Sequence, residues 1–194
     1  MKRVGPIALL FLATAAAAAT AAGHESASPS ADRCGGQLWR MKTLSDPGRR
    51  SVRLGPVATT IRAIGERPYP RPIPRSRRTP FQRQTWEVVA QVTRFRLETG
   101  GLRLESFDAG SYLHAVIPSP SCLSPATRAR SEIALAWKLI TTCARPTRDW
   151  QSLGAIAYVR GVGFWSQRGT RRGAARNGAE LHPVTGLRIV VGCG

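Results

Sequence analysis

The sequence predicts a mainly β domain, a small five-stranded β-barrel that carries one helix and follows an N-terminal wrapping segment. Two observations point there. Between Phe81 and Val191 most apolar runs alternate with polar residues and are cut by Gly, Pro and Asp, the period and punctuation of half-buried strands. One stretch alone, Ala129 to Ile140, repeats its apolar residues at 4, 4 and 3, the period of a helix.

The chain starts with targeting chemistry. Lys2 and Arg3 form a positive n-region, Ile7 to Ala19 is apolar and Ala-rich, and small residues follow. That pattern is a secretory signal peptide over residues 1–23, with Ala19-Thr20-Ala21 or Ala21-Ala22-Gly23 as cleavage motifs. The apolar run is too short for a membrane span. A small, polar tail, 24–33, comes next and contains His24.

Residues 34–80 read as a wrapping segment and connector. Leu38 to Leu44 is expected as a short strand. Ser45-Asp46-Pro47-Gly48 is turn chemistry, with Pro setting φ and Gly free to take positive φ. Thr59 or Thr60 is placed to cap a short helix through Ile61 and Ile64, stopped by Gly65 and Pro68. RPYPRPIPRSRRTP, residues 67–80, has too many prolines for helix or central strand and favours extended polyproline II. It reads as a stiff connector or as a tether for a peptide or polyanion.

Residues 81–194 read as the barrel. Trp86, Val88, Ala90 and Val92 share one face, and then the phase shifts to Phe95 and Leu97. A phase shift inside one long strand predicts a β-bulge, which lets the strand bend. Gly100-Gly101 turns into a second strand from Leu102, and Asp108-Ala109-Gly110 turns into a third, Tyr112 to Ile117. Ser124 as N-cap and Pro125 in the first turn are expected to open the helix. Leu153 to Phe164 and Leu181 to Val191 complete the set. Trp86, Val88, Ile133, Trp137, Ile156 and Leu187 are the expected core. The order is strand, strand, strand, helix, strand, strand, which is that of the OB-fold, a five-stranded Greek-key barrel. A mixed α+β sandwich is the rival architecture.

Charge and cysteines bound the function. The chain has 29 Lys plus Arg against 11 Asp plus Glu, a net charge of +18. A field of this sign gathers anions, and binding through it is salt-sensitive. Cys34, Cys122, Cys143 and Cys193 all follow the signal segment, and an exported chain holds such cysteines as disulfides. Cys122 and Cys143 flank the helix, and Cys34 and Cys193 lie at the two ends, so those are the expected pairs. There is no close Cys pair of the kind zinc sites use.

LWRMKTLSDP, PVATT, IPSPSC, GVGF and NGAELHPV together resemble a family of small exported bacterial proteins to which no reaction is assigned. The resemblance covers most of residues 38–190. Its members carry an Asp after the paired aromatics and a His-Gly-Gln before the Asn. Here Ser166 and Gly169-Thr170-Arg171 stand at those positions, while Asn177, Gly178, Glu180, Leu181, His182 and Pro183 are kept. The resemblance implies an exported protein without the acid–base or metal chemistry that such an Asp and His would supply.

Two sets of site residues follow. Glu180 and His182 lie two apart on one strand, hence on one face. With His114 they form a conceivable metal or acid–base set, or a structural anchor for the preceding loop. Within that loop Arg168, Arg171, Arg172 and Arg176 alternate with Gly and Ala. Arginine forks suit phosphate, sulfate or carboxylate. Trp165 at the root is placed to stack on a base or sugar ring, or to enter the core, and Asn177 closes the loop. The sequence holds no G-x-S-x-G elbow, P-loop or dinucleotide fingerprint, and no cofactor is expected. The expected activity is that of a non-catalytic module for an anionic polymer, such as a cell-wall polymer, acidic polysaccharide or nucleic acid. The alternatives are a hydrolase of nuclease type on the same barrel, or a protein-binding inhibitor.

Overall fold

The computed structural model describes residues 34, 36–169 and 172–193, besides Met1. The signal segment, the tail with His24, and Thr170-Arg171 lie outside the described residues. The structure is mainly β, a six-stranded mixed sheet with three short or medium α-helices. The strands are β1 (Arg53–Ala58), β2 (Gln84–Glu98), β3 (Gly101–Asp108), β4 (Ser111–Pro118), β5 (Gln151–Trp165) and β6 (Ala179–Val191). The helices are α1 (Trp39–Lys42), α2 (Ile61–Gly65) and α3 (Arg130–Cys143).

β2 organises the sheet because it is long enough to take three partners. Its first residues, Gln84 to Glu87, pair in parallel with β1, and its later residues, Gln91 to Glu98, pair antiparallel with β3. Its other edge pairs antiparallel with β5 along most of its length. β4 meets β6 in parallel, and β6 meets β5, so β2–β3–β4–β6–β5 closes into a ring. The expected bulge is present: the register of β2 slips between Val92 and Arg94 against both neighbours. Ala109 (φ 44°) and Gly110 (φ 79°) make the tight turn between β3 and β4, where positive φ at both positions matches the twist of the strands.

The ring encloses the core. Val88, Ala90, Val92 and Phe95 of β2 meet Leu102 and Leu104, Leu113 and Ile117, Ala157 and Val159, and Leu181 and Val184. α3 packs on β4 and β6 and inserts Ile133, Ala136 and Ile140. α2, capped by the Thr60 hydroxyl accepting from the Ala63 N–H at 3.1 Å, inserts Ile61 and Ile64. A second cluster, Leu44, Val52 and Val162, seats residues 44–54 on the outside of β5. Buried Arg77 pins the same segment. It donates to Asp46 Oδ1 at 3.1 Å, to the Met41 carbonyl at 2.7 Å and to the Gln82 carbonyl at 3.0 Å.

Several expectations are corrected. Residues 38–44 hold the short helix α1 (Trp39–Lys42) and not a strand, and β1 is a strand that the sequence reading did not expect. β1 lies at the end of the sheet order, and an edge is where the Pro56 in its middle is tolerated. α3 opens at Arg130 behind Ala129 in the left-handed region, with no side-chain cap, whereas Ser124 accepts the Thr127 N–H through its carbonyl in a separate turn. Val88 and Ile133 are buried, and Trp86, Trp137 and Leu187 pack on the core while partly buried. Ile156, expected in the core, is 42% exposed, because Ala155, Ala157 and Val159 are the inward residues of β5.

The disulfides are Cys34–Cys122 and Cys143–Cys193, with Cα separations of 5.3 and 5.0 Å. The expected Cys122–Cys143 and Cys34–Cys193 pairs are therefore wrong, for a geometric reason. α3 has 14 residues, so it holds its two flanks about 21 Å apart. A disulfide needs Cα atoms within about 7 Å. Cys122 ends a 3-10 turn before α3 and Cys143 ends α3 itself, so the length of the helix lies between them. Two disulfides fit an oxidising compartment, and no helix among the described residues is long and apolar enough to cross a membrane.

Candidate functional site

The β5–β6 connection is a loop with a tied base and exposed cations. The Ser166 N–H donates to the Gly178 carbonyl at 2.8 Å, and the Gly178 N–H to the Ala175 carbonyl at 2.9 Å. Asn177 does the tying. Its amide nitrogen donates to the carbonyls of Ile64 at 2.8 Å and Arg67 at 3.0 Å, and its oxygen accepts the Ala179 N–H at 3.1 Å. Asn177 is thus a buried clasp between the loop and the end of α2. Gly178 sits at φ +71°, and a Cβ there would meet the Ser166 carbonyl. Gly173, at φ +80°, brings the loop against the Glu105 carboxylate so closely that a side chain would collide with it.

Arg168, Arg172 and Arg176 are exposed on this loop. None pairs with a carboxylate among the described residues. The Arg168 guanidinium lies over the Tyr69 ring at 4.4 Å. Arg171 lies outside the described residues. Trp165 is not at the surface. It is 3% exposed, meets Phe81 at 4.8 Å and Tyr69 at 6.1 Å between ring centres, and its indole N–H donates to Thr79 Oγ1 at 3.1 Å. Its ring faces the core, so stacking on a bound ligand is not open to it.

Glu180, His182 and His114 come near one another without forming a metal site. His114 is the register partner of Glu105 on β3 and of Glu180 on β6. The neighbouring positions Leu104, Ala115 and Leu181 face the core, so these three polar residues lie on the outer side of the ring. The Glu180 carboxylate is taken by Arg103, whose Nη1 donates at 3.1 Å while its Nε donates to Glu98 at 2.7 Å. Glu105 accepts from Arg94 at 2.7 Å and from the Thr93 hydroxyl at 2.8 Å. His182 is buried, its two ring nitrogens meet no partner among the described residues, and Phe164 lies 5.6 Å away. No group of three or more His, Cys, Asp or Glu side chains among the described residues is disposed to hold a metal.

Electrostatics explain the protonation states. Burial pushes the His114 imidazole down to about 4; Arg103 adds to the shift, and Glu105, Glu98 and the Arg172 backbone oppose it. Burial, followed by the charges of Lys42, Arg103 and Arg77, holds His182 well below its usual range. Burial also lowers the Lys42 amine, which Glu180 partly counters. Burial would raise Glu98, but Arg103 and Arg96 outweigh it and hold the carboxyl below its usual range. The carboxylates beside these neutral imidazoles, Glu105 and Glu180, are already engaged by Arg94 and Arg103.

The same outer face holds cations that sequence reasoning passed over. Arg94 and Arg96 each place a guanidinium 4.6 Å from the centre of the partly buried Trp150 ring. Arg96 and Arg148 also line a cleft of about 770 Å³ with Glu98, Ser119 and Ser121. Their signal was in the sequence. After the bulge, Arg94 and Arg96 alternate with Phe95 and Leu97, which places both arginines outward.

Comparison with protein-family models, with curated proteins and with solved structures returns no match for this chain.

Proposed function

We propose that the chain is a secreted, non-catalytic module that binds an anionic polymer through the 166–178 loop and the face beside it. One observation carries this reading. Asp46, Glu87, Glu98, Glu105 and Glu180 are each paired with an arginine, whereas Arg168, Arg172 and Arg176 stand exposed and unpaired among the described residues. These five carboxylates are engaged by arginine within the fold, while the three loop cations face solvent.

The fold supports the choice of face. The order in which the ring pairs, with α3 between β4 and β5, fits an OB-like barrel. In that fold the ligand face is built from the second and third strands and the loops after the first and fourth. Here those are β3, β4, the Thr99-Gly100 turn and the 166–178 loop. Trp150, not Trp165, is the aromatic ring near this face. The two disulfides suit the extracellular destination that the N-terminal segment encodes.

The test is salt dependence. Changing Arg168, Arg171, Arg172 and Arg176 to Ala leaves the clasp at Asn177 in place. For duplex DNA the parent slope of log affinity on log salt is expected at about −0.9 per neutralised phosphate, and the quadruple variant loses up to about 3 to 4 units of it. A quadruple variant that binds DNA and an acidic polysaccharide as the parent does, at every salt concentration, overturns the reading.

A further inference from the structure

A separate cleft of about 460 Å³ opens between the edge strand β1 and the Pro/Arg segment that leads into β2. Arg53, Arg67 and Arg83 line it with Trp86, Gln84 and Ser51, and no carboxylate is in its lining. Three cations around one cavity repel one another unless an anion sits among them.

The groups are built for a ligand rather than for one another. The Arg67 guanidinium lies 4.2 Å from the centre of the Trp86 ring and 5.5 Å from that of Phe81. The Trp86 indole N–H donates to the Phe81 carbonyl at 3.1 Å, and the two rings stack at 5.9 Å, so the platform under Arg67 is fixed. Stacking holds the plane of Arg67, and its buried Nε–H meets no partner among the described residues. An orphaned buried donor is costly unless a ligand fills it. Arg83 spends only its Nε, which donates to the Arg77 carbonyl at 2.7 Å. Arg53 is exposed, and its side chain makes no hydrogen bond among the described residues. Gln84 is turned away, its amide donating to the carbonyls of Gly55 at 2.8 Å and Thr85 at 2.9 Å.

We infer that this cleft is a binding site for a tetrahedral oxyanion, a phosphate or sulfate group, seated between the three guanidinium groups. Several N–H donors from different directions match the oxygens of a tetrahedral dianion better than the flat, singly charged carboxylate. The inference does not depend on the loop reading above, since it uses none of the loop's residues.

The experiment is calorimetric titration of the whole protein at one ionic strength, made up with chloride, so that the general positive field is screened equally in every arm. Inorganic phosphate, inorganic sulfate and acetate are compared, followed by a sugar phosphate and a sugar sulfate. Saturable binding of phosphate and sulfate, with acetate indistinguishable from chloride, is the expected result. The sugar esters then show whether the group is held free or on a larger molecule. Arg53→Ala, at an exposed position, is expected to weaken binding about tenfold or more, and Arg67→Gln likewise. A variant with Arg168, Arg172 and Arg176 changed to Ala keeps full affinity for the free ion. Absence of saturation with both inorganic ions overturns the inference. So does parent-like affinity in both cleft variants, or loss of ion binding in the loop variant, which would move the site to the loop.

Discussion

His182 and His114 show how strongly single residues record their surroundings. Each lies among arginines in a water-poor pocket, so the folded protein refuses a proton that the unfolded chain accepts at about pH 6.5. Above that pH neither state binds the proton, and stability has its full value. As pH falls from about 6.5 towards the His114 value of about 4, the unfolded chain gains protons alone. Stability is therefore expected to drop by up to about 1.4 kcal/mol per pH unit for each histidine. Urea unfolding at several pH values checks this, and His114→Gln should flatten the slope. Glu98 and Glu105, held low by arginines, add their own loss only in more acidic solution. Trp165 makes a second residue-scale point. Its indole N–H bond and its contacts with Tyr69 and Phe81 put Trp165→Ala at about 3–5 kcal/mol of lost stability. Trp165→Phe should leave polymer affinity as it is, because the ring never reaches the ligand. A large drop in affinity with an intact fold would contradict that.

At the scale of elements, legibility followed the period of the apolar residues. The bulge in β2 was readable because Val92 and Phe95 break an otherwise strict alternation, and the α2 cap because Thr60 precedes a short apolar pair. β1 was not readable. RLGPVA carries a Gly and a Pro and is mostly exposed, so only its pairing with β2 makes it a strand. Ile156 was misplaced because β5 buries small alanines and exposes its one large aliphatic at that point, inverting the usual signal. The disulfides failed because nearness in sequence was taken for nearness in space. Non-reducing peptide mapping should find Cys34 joined to Cys122 and Cys143 to Cys193. Replacing Cys143 and Cys193 by Ala should cost about 4 kcal/mol in the chain-entropy view, for a closed loop spanning 50 residues.

For the whole molecule the governing quantity is where charge is left over. The sequence shows a net +18 but not its distribution, because ion pairing is a property of the folded surface. The loop arginines were legible as a run of one residue type. The Arg53, Arg67 and Arg83 cleft was not, since its members come from three separate segments and meet only when β1 docks on β2. Asn177, legible as a turn residue, proved to join the loop to α2. Removing its amide with Asn177→Ala leaves two carbonyls without their donor, and should cost about 1–3 kcal/mol. The same change should loosen the loop, which amide hydrogen exchange at residues 172–178 would register.

The two disulfides also decide how the molecule answers a pull. Tension applied between residues 34 and 193 passes from Cys34 directly to Cys122, along the chain to Cys143, and then directly to Cys193. β1 to β4 hang in one closed covalent loop and β5 and β6 in the other, so the β2–β5 and β4–β6 pairings hold the two loops together under load. Only α3 and the turn before it can lengthen, by no more than about 70 Å for roughly 20 residues at full extension. A protein tethered at both ends would thus open along those two seams, parting β3 and β4 from the 166–178 loop, while Arg53, Arg67 and Arg83 all stay within one closed loop. In single-molecule stretching the oxidised protein should stop at that short extension, and the reduced protein should run several times further.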